Sequence, residues 1–158
     1  MVDTDGPTEA ERLELWEINR RFERNLAHNR WLGLELVALE DTRATFRLPY
    51  DEKLVGNPET GVLHGGAISA AMDATCGTAV FQAIGRPVFI ATLDLRIDYL
   101  KPATPQRTVT LRAHCYKVTR NVAFVRGVAF HDDEADPIAT GTGSFMLGTS
   151  GGRGSGGE

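Results

Sequence analysis

Cysteine is nearly absent from this chain, with only Cys76 and Cys115 among 158 residues. Both sit in apolar surroundings, and neither belongs to a Cys-x-x-Cys pair or to a Cys/His spacing that could hold a metal. They read as free, buried thiols, and no metal or other cofactor is expected. A basic excess is also missing. The formal charge of -4 argues against a general nucleic-acid binder, because a protein that neutralises many phosphates carries an excess of cations. Met1 to Ala10 are acidic and polar and contain neither the charged start nor the apolar stretch of a signal peptide. No apolar run approaches the roughly 18 to 20 residues of a membrane span, so none is expected and a cytoplasmic location is the default. Internal repeats are lacking too. A chain of this length fits one domain, and its 42% hydrophobic content suffices for one sizeable core.

What is present has a clear order. Thr8-Glu9-Ala10-Glu11 has the form of a capping box ahead of Leu15, Ile18, Phe22 and Leu26, which fall at helical spacing. This predicts an amphipathic N-terminal helix. From Leu34 to Tyr50 short apolar and β-branched alternation, interrupted at Glu40-Asp41, predicts a two-stranded hairpin. Residues 51 to 61 are rich in turn formers and read as a loop leading to His64-Gly65-Gly66. Ala67 to Ile84 is apolar on all sides and stops at Gly85-Arg86-Pro87, which predicts a helix inside the protein. Four strand-like runs follow, near Val88 to Leu100, Thr108 to Val118, Val122 to His131 and Ile138 to Leu147. The Gly- and Ser-rich end has nothing to bury and is expected to be disordered. A buried helix between a hairpin and consecutive antiparallel strands implies an α+β fold, a sheet wrapped around that helix.

Asp73 is the only charged residue between His64 and Arg86, in the middle of the most apolar helix. An unpaired buried carboxylate costs several kcal/mol, so it must find hydrogen-bond partners, shift its pKa upward, or meet solvent in a cleft. Two roles fit: a carboxylate that pairs with a basic or hydroxyl side chain and fixes the core, or a general base or nucleophile. Gly65 and Gly66 let a ligand approach the backbone, and at a helix N-terminus their N–H groups lack intrahelical acceptors. Such donors can hold a developing oxyanion. Paired glycines also serve as a tight turn into a helix. Gly65 and Asp73 are eight residues apart, which separates them by roughly 12 Å along a helix axis. If both act on one substrate, the carboxylate comes from a second subunit, and a two-fold dimer builds two composite sites.

The segment Leu63-His64-Gly65-Gly66-Ala67-Ile68-Ser69-Ala70-Ala71-Met72-Asp73 resembles the helix start of hotdog-fold acyl-CoA thioesterases of the phenylacetate-pathway and 4-hydroxybenzoyl-CoA thioesterase group. The run Thr92 to Ala103, TLDLRIDYLKPA, resembles that family's next strand and its Pro-Ala ending. The resemblance implies a hotdog fold over 31–148, with 1–30 as an N-terminal tail and helix and 149–158 as a tail. It further implies hydrolysis of a fatty or aromatic acyl-CoA at a dimer interface, in a homodimer that can pair again into a tetramer. Gly65 matches the backbone donor to the thioester carbonyl, and Asp73 the carboxylate that activates water or attacks directly. Thr92 matches a Ser/Thr position that orients that carboxylate. Strict alternation puts Thr92 with Asp94, Arg96 and Asp98, opposite Leu93, Leu95 and Ile97, so a bulge or an interface position is required. His64 matches the motif histidine, placed near the leaving sulfur or bonding the preceding loop. The family's usual Asn stands six residues before that histidine; here Asn57 stands seven before, and Pro58 takes its place.

Between Tyr99 and His131 there is no acidic residue, while Lys101, Arg107, Arg112, Lys117, Arg120 and Arg126 are present. This local excess can attract an anionic carrier, or the charges simply solvate a strand face. Arg120 and Asn121 occupy a turn where the resemblance implies CoA contacts, with Gly66 and Lys101 as further candidates. A hotdog hydratase or dehydratase and a non-catalytic acyl-CoA-binding module are the competing readings, since fold alone does not fix function.

Overall fold

The computed structural model describes residues 8–10, 13–14, 17, 26–86 and 88–148. Of the amphipathic helix expected ahead of Leu26, Glu9, Ala10, Leu13, Glu14 and Glu17 are described and are helical, whereas Leu15, Ile18, Phe22 and the tail at 149–158 lie outside the described residues. A short helix, α1 (Ala27–Leu32), is closed by Gly33, whose φ of 73° places its N–H against the carbonyls of Arg30 and Asn29. Glycine adopts that left-handed geometry without the penalty a Cβ would bring.

The predicted hairpin is formed by β1 (Glu35–Glu40) and β2 (Arg43–Leu48). The chain reverses at Asp41-Thr42, where Asp41 takes a φ of 47°, a conformation that aspartate tolerates better than most side chains. The segment expected to be a loop contains a single 3₁₀ turn, Glu52–Leu54, and a two-stranded sheet of β3 (Val55–Asn57) and β4 (Val62–Leu63). Strands of three and two residues are too short to show alternation, so turn formers dominate the sequence there.

The helix α2 (Gly65–Ile84) precedes β5 (Ile90–Tyr99), β6 (Val109–Val118), β7 (Val122–Phe130) and β8 (Ala139–Leu147). Six strands make one antiparallel sheet in the order β1-β2-β6-β7-β8-β5. Helix α2 lies along the inner face of this sheet, chiefly against β6, β2 and β7. Ile68, Ala71, Met72, Cys76, Ala79 and Val80 pack into a core shared with Phe46, Leu111, Val125 and Phe145. Two buried hydroxyls, Thr75 and Thr78, are satisfied within the helix by the carbonyls of Ala71 and Ala74. This is the hotdog arrangement.

Contrary to the expectation that no apolar run reaches the length of a membrane span, α2 is 20 residues long and has a mean hydropathy of 1.2 over its most apolar window. Its composition serves burial on the sheet: 44% of that window is buried inside the fold. The residues left half-buried or exposed include 66, 69, 70, 73, 74 and 77, which recur in alternating steps of three and one along the opposite flank.

The close approach of helix and sheet depends on missing side chains. Gly127 and Gly141 are paired across β7 and β8. A Cβ at Gly127 would overlap Met72 Sδ, and one at Gly141 would lie 3.3 Å from Met72 Cγ. The two glycines thus form the hollow that takes Met72, which is fully buried. Gly127→Val should lower stability by about 1–3 kcal/mol through overpacking, read as a lower urea midpoint with an unchanged slope.

Candidate active site

The N-terminus of α2 is shaped by His64. Its backbone is extended (φ −62°, ψ 133°), and its ring Nδ1 accepts the N–H of Gly66 at 2.8 Å. Accepting through Nδ1 puts the ring proton on Nε2, so the outer nitrogen is a donor. The backbone N–H of His64 donates to the Leu54 carbonyl at 2.8 Å. Gly56 faces His64 so closely that a Cβ there would lie 3.0 Å from its Cα. The small β3/β4 sheet therefore fixes where α2 begins.

The two glycines are in different situations. Gly66 was a candidate for substrate contact, but its N–H is already taken by the His64 ring. Gly65 holds the first helical position, where an N–H has no intrahelical acceptor. Its carbonyl accepts the Tyr99 hydroxyl at 2.7 Å and the Ser69 hydroxyl at 3.3 Å. A Cβ on Gly65 would meet the Tyr99 ring at 3.3 Å.

Asp73 sits two turns further along, half-buried on the flank of α2 turned away from the core. Thr92 Oγ1 donates to Asp73 Oδ1 at 2.8 Å. Strict alternation would forbid this contact, and the strand resolves it with a bulge. In the β5–β8 ladder Thr92 pairs with Phe145 and Asp94 with Ser144, so Leu93 is the extra residue. Thr92 thereby shares the inner face with Leu95 and Ile97, while Asp94 turns outward to accept the Ser144 hydroxyl at 3.3 Å. The bulge needs room on the neighbouring strand: a Cβ at Gly143 would lie 2.8 Å from the Asp94 carbonyl oxygen.

Other candidates are dispersed. The carboxamide oxygen of Asn57 accepts the N–H of Glu59 at 3.0 Å, within the turn joining β3 to β4. Lys101 pairs with Asp136, Arg107 with Asp132 and Arg112 with Glu134. The expected cationic excess is thus cut by half, because the acidic turn before β8 folds back onto it. Arg126 lies over the Tyr116 ring, 4.5 Å from its centroid. Arg120 is exposed at the turn between β6 and β7 and makes no ion pair among the described residues. Asn121, beside it, uses its carbonyl to accept the Leu147 N–H at 2.8 Å. A cavity of about 350 Å³ opens beside Gly65, lined by Val62, Ile68, Tyr99, Leu100 and Pro102 among others. Tyr99 was not anticipated from the sequence; its partner Gly65 lies 34 residues away, and its one local signal is a phenol at the end of an edge strand.

Both thiols are buried. Burial pushes Cys76 up to about 12, with the charges of Asp73 and Cys115 adding to it, and burial also raises Cys115 against a weaker opposing contact from the Lys117 backbone. A raised pKa keeps each sulfur protonated and unreactive near neutral pH. Neither should react with an aromatic disulfide reagent at pH 8 in the folded protein, and both should react in urea.

Residues 60–138 match the family model described as "Thioesterase superfamily". The chain is 31% identical over 144 residues to the medium/long-chain acyl-CoA thioesterase YigI of Escherichia coli K12, a match that spans 83% of this chain and 92% of that protein. A crystal structure of a protein from Pseudomonas aeruginosa superposes with a TM-score of 0.76 at 48% identity, covering 84% of this chain and 98% of the other. The Escherichia coli PaaI protein from the phenylacetic acid degradation operon shares the fold, with a TM-score of 0.73 at 15% identity over 84% of this chain and 92% of that one. With the helix start and the antiparallel sheet described above, these similarities establish that the chain belongs to the thioesterase superfamily, as a hotdog-fold hydrolase of acyl-CoA thioesters.

Proposed function

We propose that this protein hydrolyses acyl-CoA with the Gly65 N–H as oxyanion donor and Asp73 as the carboxylate that drives attack. The bond from Thr92 to Asp73 carries the reading. With Oδ1 occupied by a hydroxyl donor, the carboxylate is held in one orientation and Oδ2 is left as the working oxygen. Oδ2 takes a proton from water, the hydroxide adds to the thioester carbonyl, and the Gly65 N–H receives the charge that develops on oxygen. Collapse breaks the C–S bond, releasing the CoA thiolate and the free acid. Direct attack by Oδ2 would give a mixed anhydride that water then cleaves, with the same products.

The two groups lie on one helix, about 12 Å apart along its axis, a separation too long for both to act on one carbonyl within a chain. The half-buried flank of α2 around Asp73 supports a two-fold dimer in which each site takes Gly65 from one protomer and Asp73 from its partner; a pair of such dimers is a further assembly we propose. We assign the Nε2–H of His64 to the leaving sulfur, and to the Asn57 turn the support of the loop before it. Arg120, with Asn121 beside it, is the proposed contact for the CoA phosphates, whereas Lys101 is already engaged by Asp136. The kinship with YigI directs the substrate to medium- and long-chain acyl groups.

Asp73→Asn should lower kcat by about 10²–10⁴-fold in a thiol-release assay over short, long and aromatic acyl-CoAs; undiminished turnover on every substrate would sink the mechanism. Thr92→Val should cost about tenfold in kcat, the scale of one hydrogen bond to a charged group. Gly65→Pro removes the proposed donor and also presses on the Tyr99 ring, and proline suits the first helical position. Each of these two variants, Asp73→Asn and Gly65→Pro, should be inactive alone. Mixing them by unfolding and refolding should restore about a quarter of the wild-type rate, since half the dimers are mixed and each has one intact site. Recovery of nothing would argue for sites contained within single chains.

A further inference from the structure

The Gly65–Gly66 peptide is gripped at both ends. Its carbonyl oxygen, on Gly65, accepts the Tyr99 hydroxyl at 2.7 Å, and its N–H, on Gly66, donates to His64 Nδ1 at 2.8 Å. Two consecutive glycines at the first turn of a helix are the place where backbone freedom is greatest and intrahelical hydrogen bonds are fewest. An oxyanion donor gains its effect from being held in place before the charge arrives, so a loose amide there would lose much of it.

We infer that Tyr99 is a positioning residue for the reaction: by holding the Gly65 carbonyl, its phenol aims the adjoining Gly65 N–H at the substrate oxygen. This inference rests on the reading of Gly65 as the oxyanion donor. Tyr99 is well placed for the task. It is the last residue of β5, anchored there through its pairing with Ala139 on β8. Its ring lies against Gly65 at a distance that a Cβ would reduce to 3.3 Å, so the absent side chain at Gly65 is what lets the phenol reach the backbone. The Ser69 hydroxyl approaches the same carbonyl at 3.3 Å from within the helix and is the longer of the two contacts. The two bonds on the peptide have complementary chemistry. Tyr99 donates and the His64 ring accepts, so neither can be satisfied by rotating the peptide over.

The same strand carries Thr92 at its other end. On this inference β5 sets both halves of the chemistry in each chain, the carboxylate through the bulge and the donor through the phenol. The test is Tyr99→Phe, which keeps the ring against Gly65 and removes only the hydroxyl. The expected result is a fall of about tenfold in kcat with KM unchanged. Placing p-aminophenylalanine at position 99 restores a donor and should recover most of the loss. Amide exchange at Gly66, whose N–H belongs to the peptide that Tyr99 holds by its carbonyl, should speed up in Tyr99→Phe relative to the wild type while exchange in β6 and β7 stays the same. A variant with wild-type kcat, or one in which KM alone rises, overturns the inference, the latter because Tyr99 would then be only a wall of the neighbouring cavity. Those outcomes are judged alongside Gly65→Pro: if that variant is inactive, the failure belongs to Tyr99, and if it is fully active, the reading of Gly65 as the donor has failed.

Discussion

The close seating of α2 on the sheet is the constraint from which the rest of the molecule follows. A helix can approach β7 and β8 this closely only because Gly127 and Gly141 leave a hollow, and Met72 fills it. Met72 is the residue immediately before Asp73, so the packing of one sets the direction of the other: successive helix positions are turned by about 100°. A thioether locked into the sheet therefore holds its neighbour on the flank. The apolar character of the helix, which at first sight leaves no place for a charge, is what fixes the charge in space.

A second set of absent side chains works on the opposite partner. Gly143 makes room for the Asp94 carbonyl, which lets β5 carry one surplus residue at Leu93. Without that surplus Thr92 would face outward with Asp94 and Asp98. The carboxylate on α2 and the hydroxyl on β5 meet because two separate strands each accommodate a neighbour through glycine.

Much of this architecture was legible in the residues. The last four strands stand out because each alternating run is bounded by turn formers, at 102–105, 119–121 and 132–137, and α2 because a long Ala-rich apolar run ends at Gly85. The isolation of Asp73 was a local signal, and so was the need for an irregularity at Thr92. What could not be read was anything decided by a partner distant in sequence. The position of the bulge depends on Gly143, the Tyr99 bond on Gly65, and the cation pairing on a turn at 132–136 whose sequence marks only a connection. The use of the Gly66 N–H is a different case: histidine at a helix cap with an acceptor nitrogen two residues from a glycine amide is a local pattern, and it was available to inspection.

The acidic turn before β8 has an effect on how a charged substrate meets this protein. Asp132, Glu134 and Asp136 occupy Arg107, Arg112 and Lys101, so the chain carries its own competitor for any incoming phosphate. An anion meets fewer open cations along these strands, because three of the six already have a tethered counterion at high effective concentration. Lys117, Arg120 and Arg126 are left without an ion pair among the described residues, and the first two lie at the far end of the hairpin. Anionic self-occupation thus acts as a mask over half of the basic side chains on this surface.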